Sequence, residues 1–556
     1  MLRILLVEPN YKNKYPPIAL MKLATYHRMR GDIVEFYKGE APYTTIISAD
    51  RIYITSMFTF QFDITVKTIK HYMKYKNSDS IFIGGIAVSL LTDKFVRETG
   101  ASNVLVGLLT DSSVLGYGDH VNIDELPLDY DILDDIQYVY PAGDNYFIHT
   151  TRGCPRGCEF CAVRLLEPEF QTTNHVLKQI RQIDEKYGPK RNLMLMDNNI
   201  LCSPQLEQIA DDIVALGFDG TANYVRPNAF AMNLAKIERR IALNVKYYHL
   251  IERTVAQIKE FSKRIVRYEN VAKEFNEHYD YVFNAENKLE ALQQHKEYFV
   301  SVFDKYSSKT KMVRYVDCNQ GIDARLINKK TIAQLTKLPI RPFRLAFDDI
   351  KDAEIFQSAS RMAIDNGFTH FSNYMLYNWK DEPTDLWKRL NIAVTLYNQK
   401  EGLSGFSFPM KFAPINETSR NFVGEKWSKK QLRAINVIIN VTRGVVAKER
   451  DFFEEAFGKN ENEFLEILMM PDEIIRYRHF FRDNGILAMW LKAYRSLSEI
   501  QKNELVHIVS EMVEDPSILN LPCSEPVKAI LPYYSIRKSQ VETGENEFIQ
   551  TLLLSN

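Results

Sequence analysis

Residues 146–161 read Tyr146-Phe-Ile-His149-Thr-Thr-Arg-Gly-Cys154-Pro-Arg-Gly-Cys158-Glu-Phe-Cys161. The first four residues have strand character. They run straight into three cysteines spaced C-x3-C-x2-C, with the aromatic Phe160 before the last. Three thiolates on one short loop can ligate three irons of a four-iron cluster. An electron-transfer cluster usually takes a fourth cysteine, and none lies nearby. The fourth iron is then open to a small molecule, so the loop is built to bind something at iron.

Further along the chain, strand-like runs keep ending on polar residues. Leu193 to Met196 leads to Asp197-Asn198-Asn199. Met312 to Val316 leads to Asn319-Gln320-Gly321 and then Asp323-Ala-Arg325. Phe343 to Phe347 ends on Asp348-Asp349, Phe371 to Tyr377 on Asn378-Trp-Lys, and Phe406 to Phe412 contains Pro409-Met410-Lys411. With the strand at 146, that makes six. In β/α barrels the site is built from the loops after the strands. The expected fold class is therefore α/β, with a partial (β/α)6 TIM-type barrel over 146–416. Cys154, Cys158 and Cys161 would share its mouth with Asp197, Asn199, Gln320, Asp323, Arg325 and Asp348.

Residues 1–110 alternate strand-like and helix-like runs, which predicts a doubly wound, Rossmann-like parallel sheet. Its strands are expected at Ile4–Val7, Val34–Tyr37, Ile52–Ser56, Ile81–Gly85 and Val104–Val106. Gly31 is placed to end the helix that starts at Ile18. Residues 111–145, rich in Gly, Asp and Pro, read as a linker. Residues 226–311 lack strand signals and carry Ile251, Val255, Ile258, Ile265, Tyr268, Ala272 and Phe275 at helical steps; they read as a helical insertion. Residues 417–556 read as a helical C-terminal domain. There, Arg476, Arg478, His479 and Arg482 lie among aromatic residues. That mixture can bind RNA; a solvated helix face over an aromatic core is the expected reading.

The chain has 556 residues, 45% hydrophobic and 25% charged, with a net charge of −1. That balance gives no bulk charge for binding nucleic acid or membranes. Six cysteines make no disulfide framework; Cys202, Cys318 and Cys523 read as buried thiols. The apolar run at the N-terminus is too short for a signal peptide, and no later run reaches about 18 apolar residues. A cytoplasmic, reducing location is expected, with no membrane partner.

The run from Cys154 to Cys161, set after a strand, resembles the cluster motif of the radical S-adenosylmethionine superfamily; the likeness covers residues 146–415. It implies a [4Fe-4S] cluster on the three cysteines, with the amino and carboxylate groups of S-adenosyl-L-methionine on the fourth iron. One electron then gives methionine and a 5′-deoxyadenosyl radical, which abstracts hydrogen from the substrate. The resemblance also implies that the backbone of Phe160 meets adenine and that Asp197 and Asn199 lie near the methionine amine, although the commoner Gly-Gly-Glu is not found there. Gln320, Asp323 and Arg325 would hold ribose, carboxylate or substrate, and Asp348 is a similar candidate. The structural alternatives are a turn at 197–199 that caps the next helix and a simple Asp323–Arg325 pair. The substrate is expected to be a small molecule or nucleobase, and the electron to come from a low-potential donor such as flavodoxin or ferredoxin.

Residues 1–110 resemble the cobalamin-binding-like domain that precedes many such barrels. The D-x-H-x-x-G signature is missing: His27 has Thr25 and Arg30 where Asp and Gly would stand. Members of the resembled family can bind cobalamin without that histidine; the domain is expected to be a scaffold, with bound cobalamin and a cobalamin-dependent radical methyltransferase as the alternative. A radical lyase acting on a modified nucleobase is a further alternative. A methylthiotransferase would need more clustered cysteines. From a different class, the three cysteines with His149 would form a Cys3His zinc site in an RNA-interaction module.

Overall fold

A computed structural model describes residues 1–173, 175–512, 522–545 and 547–554; the remaining parts of the expected C-terminal domain lie outside the described residues. The chain folds as two compact units. One comprises Met1–Gln320, Ala333–Arg341 and Ile415–Arg420; the other comprises Gly321–Ile332, Pro342–Pro414 and Asn421–Asn556. No described helix is long and apolar enough to cross a membrane.

The first unit opens with strands β1 (Arg3–Glu8), β2 (Ile33–Lys38), β3 (Arg51–Ser56), β4 (Ile81–Gly85) and β5 (Asn103–Leu105). They pair in parallel in the order β2-β1-β3-β4-β5. β1 is buried from Ile4 to Glu8 on both faces, as a central strand covered by helices must be. The helix Ile18–Met29 stops where Gly31 takes φ +79°, a conformation that favours glycine. Leu5, Val7, Ile52, Ile54, Ile69 and Phe95 belong to one core beneath the sheet.

Between β5 and the next strand, residues 111–145 form short turns studded with buried aspartates. Asp129 pairs with Arg28 at 2.6 Å, Asp131 with Arg239 at 3.2 Å and Asp134 with Arg253 at 2.9 Å. The segment thereby ties the N-terminal sheet to the helices that follow.

The same unit then forms β6 (Tyr146–Ile148), β7 (Thr151–Arg152), β8 (Gln171–Thr172), β9 (Leu193–Leu195), β10 (Ala222–Tyr224), β11 (Met312–Val313) and β12 (Val316–Cys318). β6, β9 and β12 make a parallel sheet in the order β12-β9-β6. The run at 312–316, expected as one strand, splits: β11 pairs antiparallel with β10, and only β12 joins the parallel sheet. Arg314 sits at the break. It is buried and donates to Leu216 O at 2.7 Å, Lys190 O at 3.0 Å and Tyr146 Oη at 3.2 Å. Five helices between Ala229 and Tyr306 separate β10 from β11. Ile251, Val255, Ile258, Ile265 and Phe275 are buried in their shared core, whereas Tyr268 is exposed.

The second unit carries β13 (Phe343–Ala346), β14 (His370–Tyr377), β15 (Ser404–Lys411) and β16 (Val446–Ala447), paired in that order with the first three parallel. Tyr397 lies flat on Gly405, where a Cβ would fall 2.2 Å from its ring, and donates to Asn373 Oδ1 at 2.8 Å. Helices dominate the described residues from Lys429 onward. The chain is thus mixed α/β with parallel sheets, and among the described residues the six strands read from the sequence pair as two separate sets of three.

Candidate functional site

The cysteine loop is anchored before it starts. β6 is wholly buried, and Thr150 and Thr151 after it are inaccessible to solvent. Asp197, two residues past β9, aims one carboxylate oxygen at both. Its Oδ1 accepts from Thr150 N at 2.8 Å, Thr150 Oγ1 at 2.7 Å, Thr151 Oγ1 at 2.8 Å and Thr151 N. Burial raises the Asp197 pKa, and these four donors only partly oppose the rise. Its other oxygen, Oδ2, is buried without a hydrogen-bond partner.

Gly153 makes the turn into the motif at φ +72°; a Cβ there would lie 2.2 Å from Glu169 O. Only glycine meets both demands. Glu167 Oε2 accepts from Gly153 N at 2.6 Å and from Asn198 Nδ2 at 3.0 Å. Beyond this clamp, Cys161 N donates to Cys158 O at 3.1 Å, closing a tight turn. Cys154, Cys158, Cys161 and Phe160 are all half-buried. Asn199 Nδ2 donates to Cys154 Sγ at 3.7 Å. Of the residues expected after β9, both Asp197 and Asn199 therefore engage the cysteine segment directly.

A chain of buried charges supports the loop from outside. Lys22 Nζ donates to Asp124 Oδ1 at 2.8 Å, Arg152 Nε to Asp124 Oδ2 at 2.8 Å and Arg152 Nη1 to Glu167 Oε1 at 3.1 Å. Burial pushes the Asp124 carboxyl up, but Lys22 and Arg152 outweigh it and hold it below the usual carboxylate range. Burial lowers the Lys22 pKa against the pull of Asp124. Sequence reasoning missed all four residues. Arg152 and Glu167, charges flanking a cysteine motif, offered a weak signal; Lys22 and Asp124 offered none.

The other expected site residues are placed as follows. Gln320 is exposed just past β12. Asp323 caps the turn Ala324–Leu326 and grips Arg325, with Nε–Oδ1 at 2.7 Å and Nη2–Oδ2 at 3.3 Å, the local pair foreseen as the structural alternative. Asp348 Oδ1 accepts from Leu376 N at 3.0 Å, tying the end of β13 to β14; burial raises its pKa. The structure joins Asp323 to Arg325, and Asp348 to β14.

His149 follows β6 and, with Lys22, Asp124, Phe147, His175 and Gln179, borders a small space of about 10 Å³, room for one water. Burial, then Arg152 and Lys22, hold its pKa well below the ordinary value, so the ring is neutral. Among the described residues, no three His, Cys, Asp or Glu side chains converge on a point that could hold a single metal ion. The donor chemistry, three cysteines within eight residues, fits thiolate ligation of an iron–sulfur cluster. The orphaned Asp197 Oδ2 fits an ammonium group.

In the N-terminal sheet, His27 is fully buried. Its Nδ1 meets Asp32 Oδ2 at 2.9 Å and its Nε2 meets Tyr53 Oη at 3.1 Å. Both nitrogens are taken, so His27 has none to offer a metal. In the basic C-terminal cluster, Arg478 is turned inward to Glu455 O, Arg482 pairs with Glu455, and Arg476 pairs with Glu473 at 3.6 Å. The chain matches no protein-family model and no curated protein, and its own geometry is therefore what bears on its function.

Proposed function

We propose that this chain is a radical S-adenosylmethionine enzyme. In this reading Cys154, Cys158 and Cys161 hold a [4Fe-4S] cluster, and strands β6, β9, β12, β13, β14 and β15 belong to one partial (β/α)6 barrel. The observation that carries it is a buried parallel strand delivering three cysteines within eight residues, with Asp197 and Gly153 fixing the turn between strand and motif.

The chain's own residues have defined tasks. The three thiolates ligate iron. Asn199 donates to the Cys154 sulfur, and such donors raise a cluster's potential by stabilising its reduced, more negative form. Asp197 holds the start of the loop through Oδ1 and accepts the ammonium of S-adenosylmethionine through Oδ2. When bound, the cluster supplies the electron that cleaves S-adenosylmethionine to a hydrogen-abstracting radical. A low-potential donor protein, a cytoplasmic setting and a small-molecule or nucleobase substrate belong to the same proposal. The engagement of both His27 nitrogens favours the reading without cobalamin.

The test is anaerobic reconstitution with iron and sulfide, followed by S-adenosylmethionine and dithionite. Close to four irons per chain and formation of 5′-deoxyadenosine are expected. Replacing Cys154, Cys158 or Cys161 by Ala should remove both. A fully loaded wild-type cluster that never yields 5′-deoxyadenosine sinks the proposal.

A further inference from the structure

Doubly wound sheets take ligands in the crevice at the carboxyl ends of their strands, where the strand order reverses. For the order β2-β1-β3-β4-β5 that point lies between β1 and β3, at Glu8. Here the crevice is filled by the protein itself. Glu8 is fully buried and accepts from Lys38 Nζ, which closes β2, and from Tyr140 Oη. The Lys38 ammonium lies 4.7 Å from the Tyr138 ring centre, 5.3 Å from that of Tyr140 and 5.6 Å from that of Tyr11. A cation set against three aromatic rings and a carboxylate is a satisfied site, with its ligand built in.

This packing fixes residues 9–15. Asn13 Nδ2 donates to Glu8 Oε1 at 2.6 Å, Tyr138 Oη donates to Asn13 O, and Ala142 N donates to Lys14 O at 3.1 Å. Pro16 and Pro17 stiffen the chain on the far side. The strap delivers Tyr15 to the second sheet. Its hydroxyl donates to Asn319 Oδ1 at 2.6 Å, and its ring stands edge-on to Phe147 at 6.2 Å. Phe147 lies in β6, and Asn319 is the residue after β12. Asn319 N also donates to Leu195 O, at 3.0 Å, at the end of β9. One tyrosine from the N-terminal domain thus reaches the strands that carry the cysteine loop, Asp197 and the Asn319–Gln320 turn.

We propose that Tyr15 is a positioning residue of the candidate site: its hydroxyl fixes Asn319, and through it Gln320, at the carboxyl end of β12. The N-terminal domain is then the rigid arm that holds Tyr15 there, with its own ligand crevice given over to anchoring the arm. This rests on the proposed function only in naming S-adenosylmethionine as the molecule the turn serves.

The test uses the full chain as wild type, Tyr15→Phe, Asn319→Ala and the double variant. Phe keeps the ring against Phe147 and removes only the hydroxyl. Hydrogen exchange of a peptide spanning 316–321 reads the contact without any cluster and should quicken in Tyr15→Phe, with the melting temperature held. In reconstituted enzyme, the KM for S-adenosylmethionine should rise about fivefold, more than kcat falls, as expected for one neutral hydrogen bond. The double variant should be no worse than Asn319→Ala alone, since the Tyr15 hydroxyl is proposed to act through Asn319. Unchanged exchange, an unchanged KM, or effects that multiply in the double variant overturns the proposal. If wild type makes no 5′-deoxyadenosine, the proposed function fails by itself. The exchange comparison then decides the role of Tyr15, faster exchange supporting it and equal exchange refuting it.

Discussion

Replacing Asp197 separates two jobs that one carboxylate performs. In Asp197→Ala, the Thr150 and Thr151 hydroxyls can rotate to other acceptors, but their backbone N–H groups cannot. Both residues are fully buried, so two donors are orphaned. Each orphan costs about 1–3 kcal/mol, giving a loss of about 2–6 kcal/mol against a typical domain stability of about 5–15 kcal/mol. Asp197→Asn keeps an acceptor at Oδ1 and removes the charge. Because burial raises the Asp197 pKa, its ionisation at neutral pH opposes folding. That contribution to stability is full below the unfolded carboxylate range and lost as pH rises through the folded pKa. The Asn variant should therefore stay near wild type or exceed it at pH 7, and its stability should respond less to pH in the acid range. Urea unfolding measures the stabilities, and iron per chain after anaerobic reconstitution measures the loop. The Ala variant should lose both stability and iron; the Asn variant should keep iron and bind S-adenosylmethionine more weakly. Equal losses in the two variants would show that charge, rather than an acceptor for Thr150 and Thr151, holds the loop, and the geometric reasoning would fail.

Two further outcomes follow from the same geometry. Gly153→Ala must accept a left-handed backbone, at about 1–2 kcal/mol, and a Cβ 2.2 Å from Glu169 O; a fall of more than about 2 kcal/mol in urea unfolding and loss of reconstituted iron are expected, and normal iron content would show a loop that relaxes freely. Burial, opposed only in part by Asp32, pulls the His27 pKa down to about 4, so the folded state resists protonating it. Its contribution is intact above pH 6.5 and shrinks as pH falls toward 4, by about 3 kcal/mol in all. From pH 7.5 to 4.5 the unfolding free energy of wild type should fall by about 2.5 kcal/mol more than that of His27→Gln, and equal falls would refute the buried neutral imidazole.

What the sequence disclosed depended on how local each signal is. β1 to β5 were legible because buried strands are short apolar runs, and the helix ending at Gly31 because a left-handed C-terminal turn needs glycine. The cysteine motif was legible because its three cysteines lie within eight residues of one loop. Asp323 and Arg325 pair within three residues, and that pairing was anticipated as one of two readings. The break at Arg314 was not legible: Met312 to Val316 looks like one strand until the guanidinium finds carbonyls at Leu216 and Lys190. The same holds for Lys22, which meets Asp124, the partner of Arg152, across 102 residues of chain, and for Tyr15, which meets Asn319 across 304. Periodicity says which face of a strand is buried. It is silent about which distant donor satisfies a buried acceptor, because that pairing is set by tertiary packing.

This difference bears on how the site is organised. The groups expected to do the chemistry sit in a loop that sequence alone can identify. The groups that support the loop and the neighbouring turn after β12 are a carboxylate two residues past β9, a charge chain from the first helix and a tyrosine on a strap anchored at Glu8. A catalytic constellation is useful only when its supports hold it to fractions of an ångström. Two of these three supports come from the N-terminal 150 residues, whose own ligand crevice is filled by Lys38 and three tyrosines. A domain that had kept its crevice open for a cofactor would not have Glu8 free to clamp Asn13, and the strap that carries Tyr15 would lose its anchor. The closed crevice and the delivered tyrosine are therefore one arrangement, and replacing Lys38 by Ala should loosen both together.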